Sequence, residues 1–140
     1  MQRTIEEVRE RTPQLLDQLL AVWERSVQAT HLFLSPEEIA EIKTYVPQAL
    51  REVPHLIAAW GENGTPVAFM GIAGEKLEML FLAPEERGQG LGKKLFQYGV
   101  EHFGIREVTV NEQNPQALGF YEHMGFRVYE RLDHDEQGKP

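Results

Sequence analysis

Cysteine is absent from the 140-residue chain. Without a thiol there is no disulfide frame, no thiolate metal site and no acyl-cysteine intermediate. Long apolar runs are missing as well. Nothing approaches the roughly 20 residues that cross a bilayer, and the N-terminus MQRTIEEVRERT lacks the apolar core of a secretory signal. A cytoplasmic protein with no membrane partner is the expectation. Cations are scarce: 14 Lys and Arg stand against 22 Asp and Glu, a net charge of −8. Phosphate backbones reward basic surfaces, so no nucleic-acid partner is expected. An acidic field attracts amines, although acidity also serves solubility alone. Among the histidines, His55, His102, His123 and His134 show no ligand spacing. No metal is expected, and the DHDE stretch around His134 reads as a solvated tail. Repeats and low-complexity tracts are absent too, and residues 1–140 read as one domain with one core.

What is present is an ordered series of start and stop signals. Thr4 to Arg9 reads as a short first strand. Thr12-Pro13 has the form of a helix cap, and Leu15, Leu16, Leu19, Leu20, Trp23 and Val27 follow at helical spacing. Ser35-Pro36-Glu37-Glu38 has the form of a capping box, opening a helix that breaks near Pro47. Beyond Pro54 the pattern turns to strands: Leu56 to Trp60, Val67 to Ile72 and Leu77 to Leu82, the first two joined through Glu62-Asn63-Gly64. A helix from Gly90 to about Phe103, a strand at Val108 to Val110, a helix opened by Asn114-Pro115 and closed by Gly125, and a strand at Phe126 to Leu132 complete the series. The fold class is therefore α/β (α+β), helices first, then an antiparallel meander, then two strand–helix units.

The segment LFLAPEERGQGLGKKL, Leu80 to Leu95, carries the strongest chemical signal. A Walker loop needs glycine five positions before Gly92-Lys93 and Ser or Thr after; Arg87 and Lys94 stand there instead. A dinucleotide fingerprint needs a third glycine where Lys93 stands. Both fail. What remains is still an anion site: glycines let successive N–H groups converge, and a helix N-terminus adds about half a positive charge. A diphosphate held this way needs few basic side chains, which suits an acidic protein.

At this point the chain resembles the GCN5-related N-acetyltransferase family. Arg87-Gly88-Gln89-Gly90-Leu91-Gly92 matches that family's [R/Q]-x-x-G-x-[G/A] loop, and LEMLFLAP matches its central strand. VNEQNPQALGFYEHMGFRVYER resembles its second signature at Asn114, Ala117, Phe120, Tyr121, Gly125 and Phe126. The segment VWERSVQATHLFLS looks like one bacterial branch of it. The resemblance covers almost the whole chain. It implies a central, mostly antiparallel twisted sheet flanked by about four helices and splayed between its fourth and fifth strands. It implies acetyl-coenzyme A as co-substrate. Phe81 and Leu82 would offer backbone groups to the pantetheine arm. Arg87, Gly88, Gln89, Gly90, Leu91, Gly92 and Lys93 would wrap the pyrophosphate, and Asn114 would hydrogen-bond the arm. The family closes its sheet with a seventh strand, for which the sequence up to Gly138-Lys139-Pro140 has no segment. Either the chain is truncated or its sheet edge is open, and an open edge would be available for homodimer pairing.

Acyl transfer from a thioester to an amine needs a deprotonated amine, a donor for the oxyanion and a proton for the leaving thiolate. The Leu82 N–H is the natural oxyanion donor. Tyr121, which helix pattern alone reads as a core tyrosine beside Phe120 and Phe126, becomes with the signature the candidate general acid: a phenol of pKa near 10 keeps its proton at neutral pH. Glu78, four residues before Leu82 and so expected on the same face, is either the base or a solvated strand carboxylate. His31 is a second candidate base, more often a structural type of residue. Ser26 and Phe33 are candidates for the acceptor pocket; Trp23 fits core packing better. The function expected is direct acetyl transfer, in a ternary complex, to a primary amine of a small molecule or protein. A non-catalytic coenzyme-A-binding regulatory module is the alternative.

Overall fold

A computed structural model describes residues 4–30, 34–108 and 115–125. A short edge strand, β1 (Thr4–Glu7), leads into a long helix, α1 (Pro13–Thr30). Leu15 N–H bonds the Thr12 hydroxyl at 3.1 Å, so threonine is the cap that the sequence indicates. Two short helices follow, α2 (Pro36–Lys43) and α3 (Val46–Glu52). The capping box closes on both sides: Glu38 N–H donates to Ser35 Oγ at 3.1 Å, and Ser35 N–H to Glu38 Oε1 at 3.0 Å. The break falls at Thr44-Tyr45, just before Pro47, which sits in the first turn of α3, where its missing N–H costs nothing. Arg11 then fixes the end of α3, donating to the carbonyls of Leu50, Arg51 and Pro54 at 3.0, 2.9 and 3.2 Å.

The meander comprises β2 (His55–Trp60), β3 (Pro66–Ala73) and β4 (Lys76–Leu82). Its first turn is built by Asn63, whose Oδ1 accepts from Thr65 N–H at 3.2 Å and from Thr65 Oγ1 at 2.7 Å. Gly64 beside it has φ +80°. A 3₁₀ turn (Pro84–Glu86), α4 (Leu91–Phe103), β5 (Glu107–Val108) and α5 (Pro115–His123) follow. Strand order is β1-β2-β3-β4-β5, antiparallel except for the parallel pair β4–β5. That last pairing is described at Lys76–Glu107 and Leu77–Val108, the beginning of β4. Of the strand read at Val108 to Val110, only Val108 is described; the strand read at Phe126 to Leu132 lies outside the described residues.

Two apolar layers sandwich this sheet. On one face Leu56, Ala58 and Phe69 pack with Leu16, Leu19, Val22, Trp23 and Val27 of α1 and with Val46 and Leu50 of α3. On the other, Ile57, Ala59, Ala68, Met70 and Ile72 pack with Leu91, Leu95 and Phe96 of α4. Neighbouring residues of β2 and β3 thus serve opposite layers, as strand alternation requires. Each fully buried Leu, Ile or Phe contributes about 1.5–3 kcal/mol of transfer free energy. Gly99 lets α4 approach closely: a β-carbon there would lie 2.4 Å from Ile105 Cδ1 and 3.2 Å from Met70 Cε.

Candidate active site

Alternation along β4 breaks once. Gly71 pairs with Met79 and Ile72 with Leu77, so Glu78 is an extra residue, a β-bulge. Met79 and Phe81 then pack toward α1, while Leu80 and Leu82 pack toward α4. Counting in twos from Leu82 had placed Glu78 on the α4 face. The bulge corrects this. Glu78 is exposed and lines a groove on the opposite face together with Met79, Phe81, Trp23, Tyr45 and Glu52.

Register also decides which peptide groups of β4 are free to bind. Ala83 N–H donates to Val67 carbonyl at 2.8 Å, and Phe81 lies opposite Phe69. In an antiparallel pair hydrogen-bonding residues alternate, so Phe81 and Ala83 face β3 while Leu80 and Leu82 turn their N–H and carbonyl groups toward the β5 side. Of the two residues named from the sequence, Leu82 therefore presents its backbone and Phe81 does not. Phe81 contributes its ring, 5.6 Å from that of Phe69, to the groove.

The glycine segment is shaped as an anion cradle. Gly88 and Gly90 have φ of +77° and +82°, a left-handed conformation that costs an L-residue roughly 1–2 kcal/mol. A β-carbon on either would meet nothing within 4 Å, so open space lies over both. Gly90 is the N-cap of α4 and supplies no side-chain cap, which leaves the first amides of the helix to be met from outside. Arg87, Gln89 and Lys93 are exposed and Leu91 is buried beneath, anchoring the turn. The Gln89 side chain folds back, its Nε2 donating to Glu85 carbonyl at 3.0 Å.

Gly92 ties the cradle to the other parts. A β-carbon there would lie 3.8 Å from the Leu82 methyls and 4.0 Å from Phe120 Cζ. The start of α4, the end of β4 and the middle of α5 thus meet at one point. Tyr121 packs beside Phe120 and Phe96, ring centroids 5.1 and 5.8 Å away. Burial there pushes its phenol up to about 12, so it carries its proton throughout the neutral range.

The groove is about 460 Å³ in volume, with apolar walls from Ile42, Val46, Ala49 and Val53. Tyr45, 55% exposed, stands at its rim. Ser26, read from the sequence as a pocket residue, is instead 4% exposed on the inner face of α1, where helical spacing places it between Trp23 and Val27. His31, Phe33 and Asn114 lie outside the described residues. Sequence reading missed Tyr45 and Glu52. Both come to the groove through the α2–α3 elbow, a tertiary arrangement with no local signal beyond Pro47.

The mixed sheet with its glycine turn at the start of α4 has the architecture of an acyltransferase domain, and comparison with known proteins gives the class. Residues 30–137 match the acetyltransferase (GNAT) domain family, and the chain belongs to that family. Among curated proteins it is 44% identical over 124 residues to the peptidyl-lysine N-acetyltransferase YjaB of Salmonella typhimurium, covering 89% of this chain and 85% of the relative. The Escherichia coli protein of the same name is 41% identical, covering 89% and 84%. Among solved structures, apo YjaB from Escherichia coli superposes with a TM-score of 0.87 at 39% identity, over 100% of this chain and 92% of that one. A PaiA N-acetyltransferase from Thermoplasma acidophilum, in complex with coenzyme A, shares the fold at a TM-score of 0.77 and 22% identity, over 95% and 94%. No helix among the described residues is long and apolar enough to cross a membrane.

Proposed function

We propose that this protein transfers the acetyl group of acetyl-coenzyme A to the side-chain amine of a lysine in a protein segment lying in the groove. One observation carries the reading: Gly92, Leu82 and Phe120, whose ring packs against that of Tyr121, converge at the end of β4, with the groove on the opposite face of the same strand. The YjaB relatives are peptidyl-lysine N-acetyltransferases, which supports lysine as the acceptor, and the coenzyme A complex of the PaiA neighbour supports the donor.

Within that reading each group has one task. The amides from Gly88 to Lys93 hold the diphosphate, and the outward Leu80 and Leu82 groups hold the arm. A lysine ammonium near pKa 10.4 must first lose a proton, at a cost of roughly 4 to 5 kcal/mol at pH 7. Glu78 takes that proton. It stands four residues from Leu82, on the order of 13 Å along a strand, so a chain of several waters, not a single one, relays the transfer. The amine then attacks the thioester carbonyl. The Leu82 N–H stabilises the oxyanion, the C–N bond forms and the C–S bond breaks. Tyr121 donates its proton to the departing sulfur, and the second proton that the new amide nitrogen sheds restores the phenol through solvent.

Thiol release from acetyl-coenzyme A tests this directly, since the chain has no thiol of its own to contribute signal. A peptide with a blocked N-terminus and one free lysine is expected to drive release, and the same peptide with that lysine already acetylated is not. Release that requires a free α-amine or a small-molecule amine instead would overturn the lysine assignment.

A further inference from the structure

Two acids, Glu85 and Glu86, directly precede a loop built to hold an anion. Glu86 is buried, at 4% exposure, whereas Glu85 stands at the surface within a few residues of Gly88 and Gly90. An ionised carboxylate in that position repels a diphosphate. The chain answers it from a distant element: Arg25, on α1 and 60 residues away in sequence, forms an ion pair with the Glu85 carboxylate. The Arg25 hydrogen bond also holds the Glu85 carboxyl below its ordinary pKa, so the carboxylate is ionised and paired throughout the neutral range. The same residue accepts the Gln89 side chain at its carbonyl, at 3.0 Å. Glu85 is thus held at its side chain by α1 and at its backbone by the loop.

We infer that Arg25 is a positioning residue for the cofactor loop, acting through Glu85: it cancels the Glu85 charge beside the diphosphate cradle. The inference rests on the loop being the coenzyme A site. It does not require Arg25 to touch the cofactor. Trp23, two residues earlier on α1, lines the groove, so one helix contributes to both sides of β4. Both partners are about half exposed, which keeps the effect modest and sensitive to salt.

The test compares acetyl-coenzyme A binding and turnover in wild type, Arg25→Ala, Glu85→Gln and the double variant. Arg25→Ala is expected to raise the KM and Kd for acetyl-coenzyme A about three- to fivefold at low salt, with kcat within twofold of wild type. That increase shrinks in 0.5 M salt. Adding Glu85→Gln to Arg25→Ala is expected to return Kd to within about twofold of wild type, because the repelling charge is gone. Loss of packing alone would not be reversed in this way. Unchanged binding in Arg25→Ala, or equal weakening in the single and double variants, would overturn the inference. If wild type itself gives no heat with acetyl-coenzyme A, the loop assignment fails instead, and the two failures are distinct.

Discussion

The two sides of β4 are built from different materials. On the α4 side the site consists of backbone: left-handed glycines, uncapped helix amides and the outward peptide groups of Leu80 and Leu82. On the α1 side it consists of side chains: Trp23, Tyr45, Glu52, Glu78 and Phe81. In the function proposed above, the backbone side takes what all such ligands share, a diphosphate on a flexible arm. A side-chain site is where one member of a fold differs from the next, because its exposed wall residues, here Tyr45, Glu52 and Glu78, can change without disturbing the sheet.

Substitutions should separate the sides. The largest effect is expected at Gly90: Gly90→Val forces a β-branched residue into φ +82° and fills the open space above the loop. Acetyl-coenzyme A affinity should fall at least about 100-fold by calorimetry, while far-ultraviolet circular dichroism stays native. Next comes Tyr121→Phe, expected to lower kcat by about 10² with Kd for acetyl-coenzyme A nearly unchanged. The same variant has a second readout. The Tyr121 phenol titrates near 12 when folded and near 10 when unfolded, so its contribution to stability is whole below pH 10 and is lost as pH rises through 12. Wild type should therefore lose on the order of 2 kcal/mol across that window in urea titrations, and Tyr121→Phe should lose less.

Glu78→Gln should reduce kcat roughly tenfold at pH 7, with the deficit closing toward pH 10 as the acceptor amine deprotonates unaided. A pH profile parallel to wild type would remove Glu78 as the base. The smallest change is expected from Tyr45→Ala in the groove: a KM for the lysine peptide raised about three- to tenfold, with that for acetyl-coenzyme A untouched. If it moved both constants equally, the division between the two sides would be false.

This division also explains what could be read from the sequence. Glycine spacing encodes backbone geometry directly, and Gly88 and Gly90 do take up the left-handed conformation that their turn implies. Caps did the same for helix starts at Thr12 and Ser35. The groove was less legible. Strand alternation predicts a face only while the ladder is regular, and the bulge at Glu78 reverses the count. Ser26 looked polar and available, yet the period of α1 buries it. Arg11 gave no hint that it would close the end of α3, since its partners are carbonyls 39 to 43 residues away. Long-range contacts of that sort leave no trace in local pattern.

The bulge has a consequence for how this strand can change length. One residue gained or lost before Glu78 can be absorbed by tightening or widening an irregularity that already exists. The same change between Met79 and Leu82 has nowhere to go. It would swap inside for outside over the end of the ladder, turning the Phe81 amide toward the β5 side and the Leu82 side chain toward α1. Insertions and deletions are thus tolerable on one side of a single glutamate and ruinous on the other.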